Sequence, residues 1–229
     1  MSKMNLNVKI IVRLVIGFLF IIAFLFGTAG TFSWPEAWLY IIIQFSFSTT
    51  LSIWLKKNNP ELLRDRMIFM KKSAKNWDKA IKIGTKLFFI ALLIIPGLDA
   101  VRYQWSQVSF AIKTISFIVI IASLALVFWA MKGNTFLSRV VEIQKERQHK
   151  VVTTGPYKYV RHPMYVGVIA FFFCLPIALG SLYGLIPAAF LVIAIIIRTH
   201  LEDKTFHKEL PGYKEYAKKT KYRLLPGIW

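Results

Sequence analysis

An all-α, polytopic integral membrane helical bundle is the fold class this sequence predicts, with four transmembrane helices followed by a C-terminal helical hairpin. Three observations carry it. Of 229 residues, 56% are hydrophobic and 18% charged, whereas soluble domains average about 25% charged residues, and mean hydropathy is +0.52. The apolar residues stand in long blocks rather than amphipathic stripes. All but two of the 30 Lys and Arg residues fall at the N-terminus (Lys3, Lys9, Arg13) or in 56–86, 132–163 and 198–229. The connections near 28–37 and 98–113 hold only the remaining Arg102 and Lys113. Alternating basic and non-basic loops is the pattern of the positive-inside rule.

The elements follow in order. A helix crossing a roughly 30 Å hydrocarbon layer needs about 20 apolar residues, and segments 9–27, 37–55, 84–101 and 111–131 qualify. The first has a basic start and resembles a signal peptide, but its span length and the absence of a convincing cleavage site predict a transmembrane helix. Trp34, Trp38, Tyr40, Tyr103 and Trp105 suit either an interfacial aromatic belt or ordinary packing. The apolar region 164–197 is too long for one span and is broken by Pro176, Gly180, Ser181, Gly184 and Pro187. It predicts two tightly linked helices, 164–179 and 182–200. Both termini, and the basic loops, are then cytoplasmic, facing anionic headgroups; which membrane is open.

Segment 58–82 opens Asn58-Asn59-Pro60-Glu61, with proline suited to a first helical turn. Met67, Ile68, Phe69 and Met70 lie among basic neighbours, so the segment is an interfacial helix or a flexible basic loop. The lone Cys174, inside an apolar run, excludes an internal disulfide and a cysteine-based metal cluster. The net charge of +19 follows the loops, so nucleic acid is not the expected partner; the lipid bilayer is. No metal is expected.

Residues 1–132 read as transmembrane scaffold with a basic cytoplasmic segment at 56–86, and 133–229 as the part that carries chemistry, the two forming one integrated domain. Arg161 and His162 stand where the chain re-enters the apolar region. All four histidines (149, 162, 200 and 207) lie beyond residue 133, and ionisable groups flanking membrane helices are functional candidates, although snorkelling and headgroup contact are the plainer alternatives. Arg198 and Glu202 are four apart, a spacing that a simple intrahelical ion pair also explains.

The run His149-Lys-Val-Val-Thr-Thr-Gly-Pro-Tyr157, followed by Arg161-His162-Pro163-Met164-Tyr165-Val-Gly167, closely resembles the signature of isoprenylcysteine carboxyl methyltransferases and their prokaryotic relatives. Arg198, Glu202-Asp203, Leu210-Pro-Gly-Tyr213, Tyr216 and Arg223-Leu-Leu-Pro226-Gly-Ile-Trp229 follow in the same order and spacing. Phospholipid N-methyltransferases share a looser form. The resemblance covers 133–229; earlier it rests on hydropathy and the Asn-Pro-Glu-Leu-Leu segment ending at Arg64. It implies S-adenosyl-L-methionine in a cytosol-facing pocket closed by the C-terminal tail. No Gly-x-Gly-x-x-Gly occurs, so no Rossmann domain is expected.

By this resemblance the cofactor is held by His149, Val151, Val152, Tyr157, His162, Pro163, Met164, Tyr165 and Glu202. Gln144 is a further candidate, with Glu142 its competitor. Arg198 and Glu202 are the catalytic candidates, with Arg198 facing the acceptor and Arg161 and Arg223 in reserve for substrate. The residue types suit these roles, a carboxylate matching the ammonium or ribose and Tyr and His rings matching adenine. Pro163 disfavours helical backbone at His162 and holds that ring out of the helix. The implied acceptor is lipid-like or lipid-linked. A carboxylate acceptor is already ionised at pH 7 and needs a cation such as Arg. An amine acceptor would need a base such as Glu202 or His200. A non-enzymatic lipid-binding protein is the rival class.

Overall fold

The computed structural model describes residues 5–68, 71 and 73–229. Eight α-helices are present among them and no strand. They are α1 (Leu6–Ala29), α2 (Pro35–Asn58), α3 (Pro60–Met67), α4 (Asn76–Pro96), α5 (Phe110–Gly133), α6 (Pro163–Ala178), α7 (Leu185–Glu209) and α8 (Tyr213–Lys219). Helices α1, α2, α5, α7 and the run Asn76–Arg102 are each long and apolar enough to cross a membrane, and α6 is a shorter apolar helix. The result is a multi-pass membrane bundle with the helical hairpin at its C-terminal end.

Local chemistry sets the boundaries. Ser109 caps α5 through its hydroxyl, and Asn59 caps α3 with Pro60 at the first turn. Helix α3 covers only the start of the basic segment. The expectation for Phe69 and Met70 falls outside the described residues. Pro96 has no amide hydrogen to continue the helical ladder, and the chain winds on as a π-helical turn over Gly97–Arg102. Helix α7 runs on to Glu209, past the expected end at 200, so its polar last third projects beyond the apolar core. Pro211 and the left-handed Gly212 (φ 81°) then redirect the chain into α8.

The main core joins Leu25, Ile41, Leu92, Leu93, Ile120, Leu175 and Leu179 from α1, α2, α4, α5 and α6. Helices α5 and α6 touch backbone to backbone at Gly167, where an added Cβ would meet the Ser123 carbonyl oxygen at 2.7 Å. A second cluster, Ala130, Tyr157, Leu210, Tyr213 and Tyr216, fastens α8 against the end of α5 and the 134–162 connection. At the opposite end, the fully buried Asp99 accepts hydrogen bonds from Ser106 (2.8 Å), Ser181 (2.6 Å) and the Tyr183 amide (3.2 Å). That carboxylate ties the α4–α5 connection to the hairpin turn. The site therefore sits on a bundle pinned at both ends.

Candidate active site

At the basic end, the 134–162 connection, the start of α6, the polar part of α7 and α8 line a cleft. Its walls include His149, Val151, Val152, Tyr157, Arg161 and His162 to Tyr165, with Arg198 and Glu202 from α7. Gln144 and Arg223 do not line it.

His162 takes a non-helical conformation (φ −125°, ψ 59°) as the cap of α6, directly before Pro163. Its ring stacks near-parallel on Tyr165 at 5.8 Å, and its Nε2 lies 3.5 Å from both Tyr213 Oη and Asp203 Oδ1. Tyr165 donates a hydrogen bond to Glu202 at 2.5 Å, both groups being buried. Helix α7 thus aims Glu202 at the α6 side of the cleft.

Arg198 has a different partner from the one its spacing suggested. Its Nε lies 2.8 Å from Oδ1 of Asp78, a fully buried carboxylate in the first turn of α4. Its Nη2 donates to the Arg139 carbonyl at 2.9 Å, and its guanidinium lies 5.5 Å from the centre of the Tyr165 ring. Asp78 also accepts from the Val141 amide at 3.1 Å. One carboxylate therefore fixes both the arginine and the cleft wall.

His149 stacks on Phe136 (4.5 Å) and meets Phe206 edge-on (5.9 Å). Its Nδ1 is buried without a hydrogen-bond partner among the described residues. Burial, then the nearby Arg147 cation, push its pKa down to about 4, so the imidazole is neutral at physiological pH. Burial likewise raises Tyr157 and Tyr213, and pushes Tyr216 up to about 12, so these phenols stay protonated donors.

Gln144 bridges the Phe136 carbonyl (3.0 Å) and Arg147 (2.7 Å), and its own backbone carbonyl accepts from the His149 amide (3.2 Å). It braces the loop beside the cleft. Glu142 does line the cleft, but its carboxylate is held by Lys71 (2.7 Å) and Ser73. Burial alone would raise its pKa; these hydrogen bonds outweigh it and hold the group below the usual range.

The two reserve arginines converge on Asp203. Arg161 Nε (2.8 Å) and Arg223 Nε (2.8 Å) both donate to it, as does Tyr213 Oη (2.8 Å). Arg161 also donates to the carbonyls of Thr220 and Lys221, each at 2.8 Å. The amides of Arg161 and His162 donate to the carbonyls of Tyr222 (2.9 Å) and Arg223 (3.0 Å). Asp203 is thus the hub that seats the tail beside the cleft. Among the described residues no cluster of His, Cys, Asp or Glu has the geometry of a metal site.

Asp78 gives no signal in the sequence, because an acid in the first turn of a helix is commonplace; its link to Arg198 is tertiary. Asp203 stands out only as the neighbour of Glu202, and Phe136 and Phe206 carry no local signal. Two adjacent acids, close to a helix end rich in Lys and His, are the available hint.

Residues 111–211 match the family model described as phospholipid methyltransferase. The chain is also similar to protein-S-isoprenylcysteine O-methyltransferase B of Arabidopsis thaliana, 24% identical over 152 residues, which is 64% of this chain and 72% of that protein. The matched region runs from α5 through α7 and contains the cleft's histidines, Tyr165, Arg198 and Glu202. Residues 111–211, within this multi-helix membrane bundle, are thus similar to membrane methyltransferases of the phospholipid and isoprenylcysteine type.

Proposed function

We propose that this protein is an S-adenosyl-L-methionine-dependent methyltransferase that esterifies the carboxylate of a lipid-like or lipid-linked acceptor. The observation that carries the reading is Arg198, anchored by Asp78 and the Arg139 carbonyl while lining a cleft it shares with Glu202, His162 and Tyr165. The division of labour is that 133–229 supplies the reacting groups, while 1–132 supplies a scaffold that contributes Asp78.

The residues fit the cofactor. His149 presents an unpartnered buried nitrogen between aromatic rings, as an adenine edge requires. Glu202 accepts from Tyr165 and keeps acceptor capacity for an ammonium or ribose hydroxyl. Val151, Val152, Tyr157, Pro163 and Met164 provide the apolar walls. When bound, the cofactor supplies an electrophilic methyl group on a sulfonium.

Arg198 holds the acceptor carboxylate through its fork of N–H donors. An ionised carboxylate needs no base at pH 7, so what remains is alignment and the exclusion of water. The Tyr213 and Tyr216 cluster performs the exclusion by closing the tail over the site. The alternation of basic and non-basic connections along the sequence supports a cytoplasmic cleft with both termini on the same side.

An amine acceptor is the second reading, favoured by the phospholipid methyltransferase match and by a buried Glu202 that can take a proton. The test is transfer of labelled methyl from S-adenosylmethionine to membrane-extracted acceptors, followed by mild alkali. Base-labile, volatile label supports carboxylate esterification. Base-stable label on an amine replaces it with the second reading.

A further inference from the structure

A second large cavity opens between α1 and α2, floored by α3. It holds about 530 Å³, within the roughly 300–1,000 Å³ of small-ligand sites. Most of its length is apolar, with Phe18, Ile21, Phe45 and Leu51 among the walls. Along α2, Gln44 and Ser48 form a short polar ladder, Gln44 Nε2 donating to Ser48 Oγ at 3.3 Å, and Gln44 Oε1 is buried with no partner among the described residues. It shares no lining residue with the cleft.

At the basic end of this groove stand Arg13, Arg66 and Arg139, brought together from α1, α3 and the 134–162 connection. Arg13 Nη1 donates to the Arg66 carbonyl at 2.9 Å, and Arg66 Nη1 to the Leu137 carbonyl at 2.8 Å. Among the described residues no carboxylate pairs with any of the three. Burial, then mutual repulsion, lower the pKa of Arg139, and burial lowers that of Arg66. Three partly buried guanidiniums without an anion are costly, since isolated charges lose hydration that only a counter-charge restores.

The geometry points to a resident anionic glycerophospholipid, its phosphodiester on Arg13, Arg66 and Arg139 and an acyl chain in the α1–α2 groove. The charge lies where a headgroup belongs and the apolar walls run toward the bundle's middle. A phosphodiester sets its two anionic oxygens and two ester oxygens tetrahedrally about phosphorus, so donors converging from three elements can reach it from different sides, whereas a carboxylate's two oxygens lie in one plane. This lipid is distinct from the methyl acceptor. Ser138 and Val140 line the cleft while Arg139 between them lines the groove, so the two sites lie back to back across one segment.

The test is native mass spectrometry of the full chain in detergent, titrated with phosphatidylglycerol, with oleate, and with inorganic phosphate. Wild type is expected to hold one phosphatidylglycerol, at least tenfold more tightly than oleate and unaffected by millimolar phosphate. An R13Q/R139Q variant should lose at least tenfold in lipid affinity. Equal retention by the variant, or oleate binding as tightly, overturns the proposal. If the variant does not fold, photo-crosslinking of wild type with an acyl-diazirine phosphatidylglycerol decides. Adducts concentrated on α1 and α2 groove residues support the site, and adducts spread evenly over all outward-facing helices overturn it. S-adenosylmethionine is absent throughout, so the result is independent of the methyltransferase reading.

Discussion

Arg198 and Asp78 form a buried ion pair, Nε to Oδ1 at 2.8 Å, that joins α7 to α4 at the floor of the cleft. The carboxylate is fully buried, so removing either partner strands a charge. Asp78→Ala should cost about 3–5 kcal/mol, the usual penalty for an orphaned buried charge. A thermal midpoint in detergent unchanged from wild type would show that Arg198 finds another partner.

Arg198→Lys keeps the charge but loses the planar fork. S-adenosylmethionine affinity should stay within about twofold, while turnover drops by roughly tenfold or more, a loss of ~1.4 kcal/mol of transition-state stabilisation. Equal loss of cofactor binding would move Arg198 to the cofactor's side of the cleft.

Asp203→Asn should loosen the tail. Arg161, Arg223 and Tyr213 all donate to this carboxylate, so the variant's segment beyond Thr220 should become sensitive to limited proteolysis at concentrations that leave wild type intact. Matched digestion rates would mean that the backbone pairs of Arg161 and His162 with the tail suffice alone.

His149 gives a pH signature. Its folded-state pKa lies near 4, below the ordinary value near 6.5, so the unfolded chain binds the proton more readily. Stability from this group is complete above about pH 6.5 and declines as pH falls toward 4. Thermal midpoints at pH 7 and pH 5 should differ less in His149→Gln than in wild type. An identical difference would assign the acid sensitivity to other groups, of which Glu142 is not one, because its depressed carboxylate loses its contribution only below the ordinary carboxylate range.

The bundle is legible in the sequence because membrane spans are written as uninterrupted apolar runs. Residues 111–131 form the body of α5, and Pro163 and Gly180 bracket α6 close to the first helix expected of the hairpin. The cleft's histidine and tyrosine walls are legible through the resemblance, since each lies within a compact ordered motif. Asp78 stays hidden for a physical reason. It faces Arg198 across 120 residues of chain, and nothing local distinguishes it from a solvated helix-start acid. The same holds for Arg161, whose position at the re-entry point suggests a substrate contact while its guanidinium is bound to Asp203 and the tail carbonyls.

Calorimetry of S-adenosylmethionine binding to the purified protein tests the central claim most directly, with Glu202→Ala and His162→Ala beside wild type. The expected result is saturable one-to-one binding by wild type, weakened at least tenfold in both variants. Absence of binding by folded wild-type protein would contradict the methyltransferase reading.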